Sequence, residues 1–416
     1  MKRQLFILLL LISTSCINEP VENEFNSVPL KSEIKDVQPM TGIVLWNTHS
    51  QRATDVISLE FTYCLYKDIV RTKGVYDWTA LDKLLDAIAA RKHQAIIRFR
   101  YVDVGDNESA VPQYIRDLPD YEETNSTSEG ERTCFPDWRH KELQSFHLEF
   151  YKKLAERYDT DKRLAFLQTG FGLWAEYHIY DGPFTLGRTF PSKAFQKEFL
   201  LNMSEWFVDT PWSISIDAAN SNYSPFETDP DLKKLKFGLF DDSFMHETHG
   251  NYNTDCWNFF DRNRYTTSPA GGELGYYKKY DQEHVLDYPD GIYGRNFESE
   301  AQGFHISYMI GNDQSKYQSM QRIKEASLAC GYRYEITEFS VNGSKCRVLV
   351  KNKGVAPIYR DAYVTVDGVR ASESLKSLQP GEDMVYEIAF KGENPVLTIE
   401  CDHLVEGQRI EFEANL

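Results

Sequence analysis

Between residues 42 and 310 eight short apolar, β-prone runs recur, with helical periodicity in several of the stretches between them. They are GIVLW (42–46), VISLEFTY (56–63), QAIIRFRY (94–101), RLAFLQTGFG (163–172), WSISIDAA (212–219), LKFGLFDD (235–242), AGGELGYY (270–277) and GFHISYMI (303–310). Strands that alternate with helices mark parallel βα units. Eight in one run favour a closed (β/α)8 TIM barrel over an open doubly wound sheet. Asp77 is placed to cap a helix over 78–91, in which Leu81, Leu84, Leu85 and Ile88 recur at helical spacing. Asp137 is placed to cap another over 138–158, with Leu143, Phe146, Phe150 and Leu154 on one face, and 315–330 reads as the last helix of the barrel. From about residue 332 the period changes to two, in YRYEITEFSV, KCRVLVKNKG, DAYVTVDG, MVYEIAF and NPVLTIECDH. That pattern predicts a small C-terminal all-β sandwich over 332–416, after a barrel over 41–331.

The formal net charge of -17 argues against a nucleic-acid partner, which would need Lys and Arg to neutralise phosphates. Residues 1–16, MKRQLFILLLLISTSC, pair Lys2 and Arg3 with an apolar run and small residues before Cys16, the pattern of a secretory signal too short to span a membrane. Its end resembles a bacterial lipobox, although Ser13 stands where Leu is usual, and the resemblance implies lipidation at Cys16. An ordinary cleaved signal is the alternative. The polar, acidic stretch 17–40 reads as a tether, and its acidic start resembles the surface-export signal of lipoproteins in some Gram-negative phyla. An exported protein held on the outer membrane by a lipid anchor, at the cell surface or in the periplasm, is the expectation. The remaining six cysteines are widely and irregularly spaced with no CxxC, so neither a zinc site nor a disulfide framework is indicated, and one or two bridges stay open. No cofactor is expected.

The chemistry concentrates in GFGLWAEYHIYDG (170–182). Gly170, Gly172 and Ala175 spell GxGxxA, but EYHIYDGPF, broken by Gly182 and Pro183, is not the helix a dinucleotide fingerprint requires. Period-two alternation puts Gln168, Gly170, Gly172, Trp174 and Glu176 on one face, which aims Glu176 into the barrel at the C-terminal end of the fourth strand, where catalytic residues of this fold arise. The second carboxylate is Glu273 on the seventh strand, where Gly271 and Gly272 permit a close approach. Glu60 and Arg98, on adjacent strands, are expected to pair inside the barrel. Arg100, nearer the mouth, offers a fork of donors for an anionic sugar. Asp241 and Asp242 face opposite ways at the end of strand six, so one of them should meet substrate hydroxyls. Asp217 shares an inward face with Ser213 and Ser215, as His305 does with Ser307. His178 is placed to orient Glu176 or donate to substrate. Trp46, Trp174, Tyr177, Tyr180, Tyr252 and Trp257 lie near strand ends or mouth loops, where aromatic faces stack on sugar rings. His246, Glu247 and His249 lack the HExxH arrangement, and no metal is assigned to them. Long loops over 102–136, 177–192 and 243–268 leave strand ends, as ligand-binding loops of a barrel do.

Glutamates at the ends of strands four and seven, with GVYDWTALDKLLDAI (74–88) between strands two and three, resemble the large clan of retaining barrel glycosidases. The resemblance implies Glu176 as acid/base and Glu273 as nucleophile. The chain departs from the clan at Ala175, where Asn usually precedes the acid/base. LWAEYH and NKGVAPIYRDAYVTV (352–366) further resemble an uncharacterised family of bacterial barrel lipoproteins with a C-terminal β-domain and a WGEWH-like motif, which carries no established activity. The expected function is glycoside hydrolysis on a poly- or oligosaccharide, retaining if the carboxyl groups lie ~5 Å apart and inverting above about 6.5 Å. A surface glycan-binding lipoprotein without turnover is the rival, and a hydrolase or lyase of non-sugar substrates on the same barrel is a third reading. No nucleophile elbow or P-loop supports acyl or phosphoryl transfer.

Overall fold

The computed structural model describes residues 24–392 and 394–416. The signal segment with Cys16 and residues 17–23 of the tether lie outside the described residues. Eight strands form a closed barrel in which each pairs with its neighbours in parallel: β1 (Gly42–Trp46), β2 (Leu59–Leu65), β3 (Gln94–Arg100), β4 (Leu164–Gln168), β5 (Trp212–Ser215), β6 (Gly238–Phe244), β7 (Ala270–Leu274) and β8 (Tyr308–Ile310). Each falls at one of the eight runs. Helices α1 (Thr79–Ala89), α2 (Lys141–Tyr158), α3 (Lys193–Trp206), α4 (Phe297–Phe304) and α5 (Met320–Leu328) lie between or after them. Leu81, Leu85 and Ile88 of α1 and Leu143, Phe146, Phe150 and Leu154 of α2 are buried in one cluster with outward strand residues such as Ile97 and Phe99. Burying one apolar stripe per helix against the barrel is what makes these amphipathic segments helical.

Three boundaries differ from the sequence reading, one being the last helix, which holds only Met320–Leu328 of the expected 315–330. Asp137 accepts from the backbone N–H of Arg139 and pairs with its guanidinium, and α2 begins only at Lys141, where the ring of His140 caps it. Trp138, fully buried, packs before the helix rather than in it. The run 303–310 is not one strand: α4 continues to Phe304, His305 closes it in the left-handed region (φ 56), and β8 holds only Tyr308–Ile310.

The C-terminal region is a β-sandwich of two sheets. One joins β9 (Tyr334–Val341), β10 (Lys345–Asn352), β12 (Asp383–Ala389) and β14 (Phe412–Asn415), antiparallel except for the parallel pair β9 and β14. The other joins β11 (Ala362–Val366), β13 (Leu397–Cys401) and the short strand Val369–Arg370. From residue 26 onward the expected tether is part of this layer: Asn26–Ser27 pairs with β9, and Lys31–Ser32 pairs with β14. Its backbone polar groups complete a sheet edge that would otherwise stand open.

The sandwich packs on the N-terminal ends of the barrel strands. Arg360 donates to the carbonyl of Leu164 and to Thr210, each at 3.0 Å, the amide of Gln94 donates to the carbonyl of His403, and Tyr359 donates to the carbonyl of Tyr265. Inward residues Val44, Phe61, Ile96, Phe166 and Tyr308 belong to the same apolar cluster as Tyr332, Tyr334 and Val364. The lower half of the barrel is therefore core, and the polar groups are left to the opposite, C-terminal mouth. Six cysteines are free thiols, so no disulfide links the described residues. No helix among them is long and apolar enough to cross a membrane.

Candidate active site

The loop after β4 carries Glu176 into the mouth by a route that alternation does not foresee. Strand β4 ends at Gln168, and Leu173–Ala175 form a 3-10 turn in which Trp174 (φ 54) and Ala175 (φ 56) are both left-handed. The chain then folds back on itself: Phe171 and Gly172 donate to the carbonyl of Glu176 at 3.1 and 2.8 Å, and Leu173 donates to that of His178 at 3.1 Å. Only glycine fits such an approach, because a Cβ on Gly170 or Gly172 would lie 2.1 or 1.7 Å from the carbonyl oxygens of Ala175 and His178. The GxG pair thus serves the fold-back of this loop.

The turn sorts the side chains that follow it. Glu176, 5% exposed, faces the mouth, where His178 Nε2 lies 2.8 Å from its Oε2. Tyr177, expected beside it, points the other way: it is fully buried against Phe171 and Phe190 in the outer core, and it contributes no wall to the site. Trp174 lies at the rim, its indole N–H donating to Glu129 at 3.0 Å and to the Tyr180 hydroxyl at 3.1 Å. Glu129 caps the tip of a hairpin, Thr124–Ser128 and Glu131–Phe135, which leans onto this loop.

Strand β5 ends in a 3-10 turn that brings Asp217 to 3.1 Å from His178 Nδ1. Asp217 was legible as an inward residue, yet no role was assigned to it from the sequence. Glu176, His178 and Asp217 come within 4.8 Å of one another, a donor set of the size that holds a cation. The imidazole, however, turns a different nitrogen toward each carboxylate, and those nitrogens diverge. The geometry is that of an ion-paired chain.

On the neighbouring strand β3, which pairs with β4, Arg98 is wholly buried. Its Nη1 donates to Asp242 at 2.6 Å and to the Trp174 carbonyl at 3.2 Å, while Nε and Nη2 share Gln168 Oε1 at 2.9 and 2.5 Å. Gln168, a residue the sequence did not single out, passes its own N–H to Tyr308 at 2.8 Å. Arg98 does not pair with Glu60. The register sets Glu60 beside Ala95 on the face turned away from the barrel interior and Arg98 beside Tyr63 on the inner face, so Glu60 instead takes Arg91 at 2.6 Å and His93 at 2.8 Å near the strand's start.

Of the two aspartates of β6, Asp242 faces inward. Asp241 faces outward and is consumed by Asn253 (2.9 Å), Trp257 (3.1 Å) and Ser243 (3.0 Å). Glu273 lies at the C-terminal end of β7, level with Ile310 of β8. The glycines before it admit neighbours: a Cβ on Gly271 would meet the ring of Tyr308 at 2.3 Å, and one on Gly272 the backbone of Asp241 at 2.0 Å. Trp46, Tyr63 and Trp174 make a continuous aromatic rim, with centroids 5.7 and 6.1 Å apart. Arg100 lies over Tyr63 and Trp174 and pairs with Asp103 at 2.8 Å, which occupies the fork expected to hold an anionic sugar. Tyr276 and Tyr277 stack at 4.6 Å after β7, and Tyr180, Tyr252 and Tyr277 are exposed.

His305 is the clearest displacement. Left-handed at the end of α4, it stacks on Tyr265 and contacts the carbonyl of Val355, at the barrel end that meets the sandwich, far from the mouth. His246 and His249 join no metal cluster among the described residues: His249 meets Glu300 at 3.1 Å, and His246 lies near Asp281.

The electrostatics of the mouth follow from crowding carboxyl groups in a dry place. Burial pushes Glu176 up to about 7, with His178 pulling against it and Asp242 and Asp217 adding to it. Burial also holds Glu273 well above the usual carboxylate range, with Asp242 and Glu176 reinforcing and Arg98 opposing, and among the described residues nothing donates a hydrogen bond to it. For Asp217 burial works upward, but His178 and Ser215 outweigh it and keep the group ionised.

No protein-family model and no curated protein matches the sequence. Among solved structures the chain is similar to endo-glycoceramidase II from Rhodococcus sp., at 9% identity over 89% of this chain and 98% of that one, with a TM-score of 0.42. It is also similar to a trimodular GH5_4 subfamily endoglucanase (12% identity, 91% and 78% covered, TM-score 0.43). A third is an alpha-galactosidase from Thermus thermophilus (12%, 77% and 66%, TM-score 0.39). At identities and scores this low, the likeness carries nothing about what this chain acts on.

Proposed function

We propose that the barrel mouth cleaves glycosidic bonds of a poly- or oligosaccharide by a retaining two-glutamate mechanism. The observation that carries this reading is the placement of Glu176, 5% exposed and pushed up by burial to about 7, in one aromatic-rimmed mouth with Glu273. Glu273 attacks the anomeric carbon while Glu176 passes its proton to the leaving glycosidic oxygen. Glu176 then takes a proton from water, whose oxygen displaces Glu273 and regenerates both groups. Attack requires Glu273 as a carboxylate; Arg98 and the positive charge that develops on the sugar ring both favour that form. The rim of Trp46, Tyr63 and Trp174, with the exposed tyrosines, offers ring faces to sugars. Export and lipidation at Cys16 belong to this reading, as the means by which such an enzyme would meet polymeric substrate.

One observation favours a second reading. Burial holds Glu273 well above the usual carboxylate range, which favours its protonated form, and with Ala175 in place of the usual Asn the same surface would bind glycan without turning it over. Proton NMR of the first sugar released from a glycan panel separates the cases. The β-to-β or α-to-α outcome of retention supports the mechanism. An inverted first product refutes it, and binding with no product at any pH selects the second reading.

A further inference from the structure

His178 is held between two carboxylates from different strands: Glu176 after β4, on Nε2, and Asp217 after β5, on Nδ1. The hydroxyl of Tyr252 reaches the same Asp217 oxygen at 3.4 Å, and the rings of Tyr180 and Tyr223 pack edge-on to the imidazole. An imidazole with one proton can donate to only one of two flanking acceptors, whereas a doubly protonated ring donates to both. We propose that Asp217 is a positioning residue that acts on Glu176 through His178, holding the imidazole as a cation at ion-pairing distance from the Glu176 carboxyl.

The inference rests on the reading of Glu176 as acid/base and states what lets one carboxyl play both parts. The groups that face Glu176 are Asp242 of β6, Glu273 of β7, Arg98 of β3, Tyr63 of β2, Tyr180 of its own loop, and Tyr276 and Tyr277 after β7. Burial and the neighbouring carboxylates all favour the protonated acid, which would serve the first step and stall the second. Arg98 is committed to Asp242 and Gln168, so His178 is the one cation among the described residues within ion-pairing distance of Glu176. Burial alone would neutralise that imidazole; Asp217, with Glu176, holds its proton well above the usual histidine range. Removing the Asp217 charge should therefore free the His178 proton and bind the Glu176 proton more tightly.

The test needs no substrate. The 15N shifts of the His178 imidazole and the 13C shift of the Glu176 carboxyl are followed from pH 4 to 9 in the purified protein, in Asp217→Asn and in His178→Gln, with Glu176→Gln assigning the carboxyl signal. We expect a doubly protonated imidazole at pH 8 in the wild type. In Asp217→Asn the imidazole midpoint should fall and the Glu176 midpoint rise, each by about one unit, a tenfold change in proton affinity. A neutral imidazole at pH 7 in the wild type, or a Glu176 midpoint that Asp217→Asn does not move, overturns the proposal. If Asp217→Asn does not fold, the wild-type imidazole decides alone. A protein that cleaves no glycan yet shows the coupled titration keeps this inference and loses the hydrolase reading, and the opposite pair of results does the reverse.

Discussion

Replacing Glu176 by glutamine should make the protein progressively more heat-stable than the wild type as pH rises. Glutamine stands in for the protonated carboxyl, so variant and wild type match wherever Glu176 carries its proton in both folded and unfolded chains. The wild-type carboxyl moves on folding from an ordinary 4.5 to about 7, chiefly because it is 5% exposed among other acids. A raised folded-state value gives stability that is complete below the unfolded value and lost as pH climbs through the folded one. The shift is roughly 2.5 units, and at 1.36 kcal/mol per unit the wild type falls behind by about 3 kcal/mol between pH 4.5 and pH 7. Scanning calorimetry of both proteins at half-unit steps from pH 4 to 8 reads this as a gap in Tm that opens with pH. A gap that stays constant, or closes as pH rises, would refute the claim that this carboxyl is buried as an acid.

Arg98→Met should cost about 3–5 kcal/mol, because it strands Asp242 as an unpaired buried acid, and urea unfolding at pH 7 measures the loss. Tyr177→Phe should be neutral or stabilising by about 1 kcal/mol, since its buried hydroxyl has no partner among the described residues, and it should leave any glycan turnover unchanged; a loss of turnover would return Tyr177 to the site. With a cleaved substrate in hand, kcat should fall above pH 7 as Glu176 loses its proton, so a profile still rising at pH 9 would remove Glu176 from the acid role.

The barrel was legible because each strand run is apolar, short and separated from the next, and those properties survive any local surprise. The strand runs located the mouth ends of β4 and β7, with Glu176 after the one and Glu273 at the other. Alternation did not foresee where the backbone leaves extended geometry: Trp174 and Ala175 fold the chain back in left-handed conformations, and the left-handed His305 ends a helix where a strand was expected. At Trp174 and Ala175 the conformation leaves no mark in residue type, since such side chains ordinarily avoid it. Asp217 sat on the inferred inner face, but its partner His178 comes from another strand's loop, and that pairing belongs to the closed barrel alone. The Glu60 pairing was missed because Phe61, not Glu60, points into the barrel beside Ile96. The two N-terminal strands were hidden by their polarity: two residues each, they add hydrogen bonds to a sheet edge without adding apolar surface.

Product release from a panel of plant, algal and host glycans, by the purified protein alongside Glu176→Gln and Glu273→Gln, tests the central claim most directly. The account predicts that the wild type releases sugar and that both variants lose release by several orders of magnitude while still binding the glycan. A wild type that binds glycan, releases nothing and is matched in binding by both variants would contradict it.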